Sequence, residues 1–136
     1  MSEPPLRTYS AAEANAALGE VAPLVERIAA LSRDIPELHE RARIADYKTS
    51  RADAGPDLET RFQDATRAQS DAEMELATSA AQLEALGVVL KDAQVGLIDF
   101  YSIRDGELVE LCWKLGEPRI THWHRIGEGF AGRRPL

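Results

Sequence analysis

The feature that most constrains this chain is a seam of mostly apolar residues at helical spacing between Glu20 and Leu86. Its members recur at alternating steps of three and four, which places them along one side of a helix, as in coiled coils. The first half of the seam contains Val21, Leu24, Ile28, Leu31, Ile35, Leu38, Ala42 and Ala45. The second half contains Leu58, Phe62, Ala65, Gln69, Ala72, Leu76, Ser79, Leu83 and Leu86. Each half spans about 28 residues, or roughly 42 Å, and the short segment between them predicts an antiparallel helical hairpin.

The residues of the seam are larger and more apolar at one end of this hairpin than at the other. At the base, where Val21 lies near Leu86, Val25 widens the apolar stripe. At the tip, where Ala45 lies near Phe62, most seam residues are small or polar. A buried leucine or isoleucine contributes ~1.5–3 kcal/mol, but two helices alone bury each one only in part. We therefore expect another element to cover the base and a second copy of the chain, in a homodimer, to cover the tip.

Helix signals set the boundaries of the first long helix. Ser10 and Glu13 form a capping box, which predicts a short helix from the next residue to about residue 18. Gly19 and Pro23 predict a break or a bend before the long helix, because proline removes one backbone hydrogen bond. Pro36 lies one residue off the seam, within an otherwise unbroken heptad run, and predicts a kink rather than an end.

The remaining boundaries come from glycine, proline and aspartate. Residues 49–57 are polar and predict a loop, with Asp57 as the cap of the second helix. Gly87 is placed to end that helix. The chain is then predicted to be a single domain, 1–136, with a mobile N-terminus (1–9), a helical hairpin (10–86), a β-meander (88–126) and a Gly/Arg tail in coil conformation (127–136).

The C-terminal third reads as a small antiparallel sheet. Residues 97–103, 108–115 and 120–126 predict three strands, and the short apolar run at 88–90 could be a further extended segment. Asp105-Gly106 predicts a two-residue hairpin turn. That turn places Ile98, Phe100, Val109, Leu111 and Trp113 on one face, and Asp99, Tyr101, Glu110 and Cys112 on the other. The first face is expected to pack on the base of the hairpin, which gives an α+β fold.

Several C-terminal segments are distinctive as sequences. They are Leu90-Lys91-Asp92, Gly96-Leu97-Ile98-Asp99-Phe100, Leu111-Cys112-Trp113-Lys114-Leu115-Gly116-Glu117, Trp123-His124 and Gly129-Phe130-Ala131-Gly132-Arg133-Arg134-Pro135-Leu136. With the opening Tyr9-Ser10-Ala11-Ala12-Glu13-Ala14-Asn15, they resemble domain-of-unknown-function family 2203. The resemblance implies a small bacterial or archaeal protein with a helical hairpin. It implies no particular activity.

The segment from His122 to His124 is the sharpest local signal for chemistry. Two histidines two residues apart on a strand project from the same face, as metal ligands can. A three-residue turn at 116–118 would set His122 beside Cys112 and His124 beside Glu110. One patch would then hold five candidate ligands for zinc or another transition metal. These are Asp99, Glu110, Cys112, His122 and His124.

A two-residue turn would instead send both histidines to the core face, beside Trp113. Burial of Trp123 favours the first arrangement, whereas Ile120 and Ile126 share the histidine face and favour the second. Most histidines in such a setting are structural. The sequence leaves the two arrangements open.

Three further groups have a chemical interpretation beside a structural one. Cys112 is more often a small buried hydrophobic residue than a nucleophile, which would need a cationic neighbour. Asp99 and Glu110 could share a metal or do acid–base chemistry, or they could form ion pairs on a solvated face. Arg133 and Arg134 could bind an anion, or could fix a tail that is anchored by its phenylalanine.

Composition limits the function classes. The formal net charge of −7 argues against a nonspecific binder of nucleic acid or anionic membranes. There is no apolar run of about 18 residues and no secretory signal pattern, so the default is a cytoplasmic protein. A single cysteine excludes an internal disulfide.

The sequence thus leads to two functional interpretations. The first is a self-associating helical-hairpin interaction module without a nucleic-acid or membrane partner. The alternative is a metal-binding protein or metal-dependent hydrolase that uses the histidine, carboxylate and cysteine patch. Whether the protein is an enzyme is left open.

Overall fold

The computed structural model describes residues 6–51 and 55–136. Two long helices, α1 (Ala11–Thr49) and α2 (Pro56–Ala85), pack against each other and precede a five-stranded antiparallel sheet. The strands are β1 (Val88–Asp92), β2 (Leu97–Arg104), β3 (Glu107–Lys114), β4 (His122–Arg125) and β5 (Arg134–Pro135), in that spatial order. A single 3-10 turn, Phe130–Gly132, lies between β4 and β5. The α+β hairpin fold is confirmed, but the sheet has five strands rather than three.

Helix α1 is continuous where the sequence predicted a break or a bend. It begins after the predicted capping box, in which Ser10 Oγ accepts from the backbone N–H of Glu13. The helix is 39 residues long in total and includes both Gly19 and Pro23. A proline inside a helix costs about 3 kcal/mol. The neighbouring Val21 and Val25 are fully buried, as are further α1 residues beyond them, and burial of each contributes ~1.5–3 kcal/mol. Packing therefore outweighs the lost hydrogen bond, and of the two predicted outcomes, a break or a bend, the break does not occur.

Helix α2 is bounded by glycines. Gly55 is its N-cap and provides no side-chain hydrogen bond, so the prediction of Asp57 as the cap was wrong. Asp57 instead lies in the first turn, where its charge is favourable to the helix dipole. Gly87 follows the C-cap with φ +77°, as the sequence predicted. Part of the connecting loop, residues 52–54, lies outside the described residues.

The β2–β3 hairpin has the predicted turn and register. Asp105 and Gly106 have φ values of 52° and 77°, which are those of the two-residue turn that suits a twisted hairpin. Asp99 is therefore opposite Cys112, and Phe100 is opposite Leu111. The apolar and polar residues of the two strands separate onto opposite faces of the sheet.

The connection from β3 to β4 is longer than either predicted turn, with seven residues from 115 to 121. The side chain of Asn15 fixes its end, since Asn15 Oδ1 accepts from the Ile120 N–H at 2.7 Å. Ile120 is buried in the core beside Trp113. The resulting register nevertheless places Cys112 opposite His122, which is the pairing that the three-residue turn predicted.

The tail is not the coil that the sequence predicted. β5 pairs with β4, with Arg134 opposite Trp123, and the N–H of Leu136 donates to the carbonyl of Thr121 at 2.9 Å. The N-terminal segment is also fixed at its end. Tyr9 is buried, and its backbone N–H donates to the carbonyl of Tyr101 at 2.7 Å. The first five residues of the predicted mobile segment lie outside the described part of the chain.

The hydrophobic core lies at the base of the hairpin, between the helices and one face of the sheet. Its buried residues are Tyr9, Ala14, Val21, Val25, Ile28, Leu83, Val88, Ile98, Phe100, Leu111, Trp113 and Ile120. Towards the tip, the described parts of α1 beyond Leu31 and of α2 before Ala72 contain no buried residue. Within the described residues, neither helix combines the length and the hydropathy that a bilayer crossing needs.

Candidate metal centre

Four polar side chains are buried on the sheet face that points away from the helices. Asp99, Glu110, Cys112 and His124 are each exposed by 2% or less. They share this face because they alternate with core residues along β2, β3 and β4, and because the register sets Asp99 opposite Cys112 and Glu110 opposite His124. Buried ionisable groups on a sheet face need partners or a ligand.

These side chains line a small, partly open cavity of about 140 Å³. One wall is Lys91, which lies at a β-bulge where the register of β1 and β2 shifts between Leu90 and Asp92. The other wall comes from the segment after β4, where Gly127, Gly129 and Phe130 line the cavity. The cavity therefore combines a polar floor with a cover of glycine and aromatic residues.

His124 is held in one orientation by two contacts. Its Nδ1 lies 2.9 Å from the carbonyl oxygen of Arg125, and its Nε2 lies 3.1 Å from Oδ1 of Asp99. A carbonyl can only accept, so Nδ1 carries a proton and Nε2 holds the lone pair of the neutral ring. Between Nε2 and a carboxylate oxygen there must be either a proton or a metal ion. Metal-binding histidines are commonly oriented by this kind of second hydrogen bond.

The acidic groups of the cavity outnumber its cations. Burial raises the pKa of Asp99 from 3.8 to about 6, and the adjacent Glu110 adds to the rise, whereas His124 opposes it. Lys91 Nζ lies 3.5 Å from Glu110 Oε2 and 3.9 Å from Asp99 Oδ2. Among the described residues, Glu110 Oε2 is a buried atom that accepts no hydrogen bond. The site therefore has the capacity for a further cation or hydrogen-bond donor.

The thiol of Cys112 completes a group of three different donor atoms. One ligand atom each from Asp99, Cys112 and His124 lies within 4.8 Å of the other two. Burial raises the pKa of the Cys112 thiol to about 11, Asp99 adds to the rise, and Arg133 acts against it. Without a bound cation, the thiol is protonated at neutral pH and is a poor nucleophile.

The structure separates the five candidate ligands of the sequence into three groups. Asp99, Cys112 and His124 converge, whereas Glu110 lines the same cavity without belonging to the convergent group. His122 is opposite Cys112 in the register, but its Nδ1 lies 2.8 Å from Oγ1 of the adjacent Thr121. His122 does not line the cavity.

Sequence reasoning missed two parts of the site. Lys91 lies beside the two carboxylates at a β-bulge, and its sequence neighbours gave no signal of an extra residue in the strand. Phe130 was predicted to anchor the tail, but its place in the cavity wall depends on the fold of the segment after β4.

The two arginines proposed for anion binding both contact carboxylates. Arg133 donates to Glu117 Oε2 at 3.0 Å, and its guanidinium lies 4.1 Å from the centre of the Phe130 ring. Arg134 lies 3.4 Å from Glu128 Oε1. An anion at these arginines would have to compete with the two carboxylates.

Comparisons with known proteins identify the family of the chain. No curated protein and no solved structure matches the chain. A family model described as "Uncharacterized conserved protein (DUF2203)" matches residues 7–136, which is the family that the C-terminal segments resemble. Because this match covers nearly the whole chain, the protein belongs to the uncharacterised DUF2203 family.

Proposed function

We propose that the protein binds a divalent transition metal, zinc in the first place, through Asp99, Cys112 and His124. The observation that carries this proposal is the convergence of a carboxylate oxygen, a sulfur and an imidazole nitrogen within 4.8 Å. Zinc binds all three kinds of atom at about 2.0–2.3 Å, so tetrahedral ligands lie roughly 3.3–3.8 Å apart. The Asp99–His124 pair, at 3.1 Å, is already that close, so only the longest separation within the group, at most 4.8 Å, needs to shorten by about 1 Å around the ion.

The charges around the three donors favour a cation. Asp99 and Glu110 are both buried, while Lys91 provides one positive charge and is partly exposed. A zinc ion would take the place of the proton between Asp99 and His124, and it would displace the proton of the Cys112 thiol. The raised pKa of that thiol means that zinc and protons compete for the site.

Metal content and stability test this proposal directly. Protein purified without a histidine tag and stripped with a chelator should take up one zinc ion per chain. Zinc at 100 times its dissociation constant should stabilise the fold by about 2.7 kcal/mol. Cys112→Ser should weaken zinc binding, and circular dichroism should show whether this variant keeps the fold.

The matched control is His122→Ala, because His122 lies on the same sheet face without lining the cavity. This variant should bind zinc as tightly as the wild type. The proposal fails if the stripped protein takes up no zinc, or if His122→Ala removes binding while Cys112→Ser does not.

A second observation favours self-association through the hairpin tip. The seam residues there, such as Ala42 and Ala45, are only half-buried, and Ile44 and Tyr47, which lie outside the seam, are 46% and 66% exposed. An open cavity of about 250 Å³ lies beside Ile44, between the helices. We expect a second hairpin to cover these residues, because apolar side chains at helical spacing stabilise helix pairing.

Sedimentation at micromolar concentrations tests this second function. The wild type should form a dimer, and Ile44→Asp should be a monomer. Val95→Asp is the control, since Val95 is similarly exposed, at 44%, in the β1–β2 connection. A wild-type monomer, or equal effects of the two substitutions, would exclude the tip as the interface.

A further inference from the structure

We infer that the metal centre is an open one, whose fourth coordination position faces the cavity and takes a small neutral ligand with an N–H or O–H group. The ligand would bind the metal through one atom and donate a hydrogen bond to Glu110 from another. Water is the simplest ligand of this class. This inference rests on the proposed metal binding and specifies what kind of metal site it is.

The first argument is the number of protein ligands. Structural zinc sites have four protein ligands, whereas sites that bind substrate or water have three. In the described part of the chain, only Asp99, Cys112 and His124 converge. The nearest further imidazole candidate, His122, contacts Thr121 and lies outside the cavity wall. A tetrahedral ion held by these three residues lacks one ligand.

The second argument is the space beside the three donors. The same cavity of about 140 Å³ is lined by all of them, which leaves room next to the ion. A water molecule occupies about 30 Å³, so the space admits water or a ligand of a few heavy atoms. Gly127 and Gly129 line the cavity without side chains that could fill it.

The third argument is a second buried carboxylate that lines the same cavity. Glu110 is 2% exposed and lines the cavity, yet its Oε2 accepts no hydrogen bond among the described residues. Lys91 Nζ, at 3.5 Å, compensates its charge in part. A buried acceptor without a donor is costly, so a ligand that supplies an N–H or O–H is favoured over one that cannot. An anion is disfavoured by the same carboxylate.

The probe is a pair of small ligands that differ in one hydrogen-bond donor. Imidazole can bind the metal through one nitrogen and donate from the other, whereas 1-methylimidazole cannot donate. Both are titrated into the cobalt-loaded full chain, and the visible absorption of cobalt reports coordination. A hydrogen bond to a charged group is worth about 1.5–3 kcal/mol, so imidazole should bind on the order of tenfold more tightly or better.

Two variants separate this effect from the size of the methyl group. Glu110→Gln should reduce the preference for imidazole to about threefold or less, because the amide is a weaker acceptor than a carboxylate. His122→Ala should leave the preference unchanged. A preference that survives in Glu110→Gln would show that the cavity discriminates by shape and would overturn the role of Glu110.

The outcomes also separate this inference from the metal proposal. Cobalt uptake without any spectral response to imidazole would show a closed structural site, which overturns the inference and leaves metal binding intact. No uptake of cobalt or zinc would overturn both. A tighter response to azide than to imidazole would overturn the assignment of a neutral ligand.

Discussion

Burial of Asp99 predicts that the metal-free protein loses stability as the pH rises from about 4 to about 6. The pKa of Asp99 is raised from 3.8 to about 6, first by burial and then by Glu110. The folded protein therefore keeps the Asp99 proton at pH values where the unfolded chain has released it. Because the folded state binds more protons in this range, the free energy of unfolding falls as the pH rises.

The size of this fall follows from the two pKa values. The difference between 3.8 and about 6 corresponds to about 3 kcal/mol, all of it lost by neutral pH. Glu13 and Glu75 act in the opposite direction, since hydrogen bonds from Ser10 and Arg27 lower their pKa values. The Asp99 contribution is therefore isolated by comparison with Asp99→Asn, which cannot titrate at this position.

Urea unfolding of the chelator-treated protein at pH 4, 5, 6 and 7 measures the effect. The stability of Asp99→Asn relative to the wild type should rise by roughly 2–2.5 kcal/mol across this series, because Asp99 of the unfolded chain, with a pKa of 3.8, is already partly ionised at pH 4. Ser102→Ala exchanges one uncharged buried residue for another on the same strand. Its free energy of unfolding should therefore differ from that of the wild type by the same amount at every pH. A relative stability of Asp99→Asn that does not change with pH would refute the reasoning.

The remaining predictions concern single backbone and packing positions, each measured by urea unfolding. Gly96→Ala should destabilise by about 1–3 kcal/mol, because Gly96 has φ +71° and an added Cβ would lie 2.6 Å from Cβ of Leu115. Gly19→Ala should stabilise the protein by about 0.5–1 kcal/mol, because Gly19 lies within α1 and an added Cβ would have nothing within 4 Å. A loss of stability in this variant would contradict the helical conformation of this segment. Ser10→Ala should cost about 1 kcal/mol through loss of the capping box, and a neutral effect would show that the cap is dispensable. Ile28→Ala should cost about 2–5 kcal/mol, because Ile28 is fully buried; a cost below 1 kcal/mol would exclude it from the core.

Features of the fold that depend on local signals were predictable from the sequence. The helical seam, the capping box and the Asp105-Gly106 turn each act within a few residues, and the turn alone fixes which residues of β2 and β3 share a face. Asp99 and Cys112 could therefore be paired in advance. The continuity of α1 through Pro23 could not be, because it depends on burial against elements far along the chain.

The candidate site depends more strongly on distant contacts. Asn15, at the start of α1, hydrogen-bonds both the N–H and the carbonyl of Ile120 in the loop before β4, and the pairing of β4 with β3 then places His124 beside Asp99. Lys91 enters the site through a β-bulge that strand periodicity does not reveal. The sequence thus identified the reactive residue types and their common face, while tertiary packing decided which of them converge.

The uneven burial of α1 has a consequence for its local dynamics. Amide hydrogens near Val25 and Ile28 should exchange only when the whole molecule opens, because this end of the helix lies in the core. Amides in residues 32–49 should exchange through local fraying, since this length of the helix contains no buried side chain. One 39-residue helix would therefore show a steep gradient of exchange protection along its axis. Concentration-dependent slowing confined to residues 32–49 would be the signature of a second hairpin that covers them.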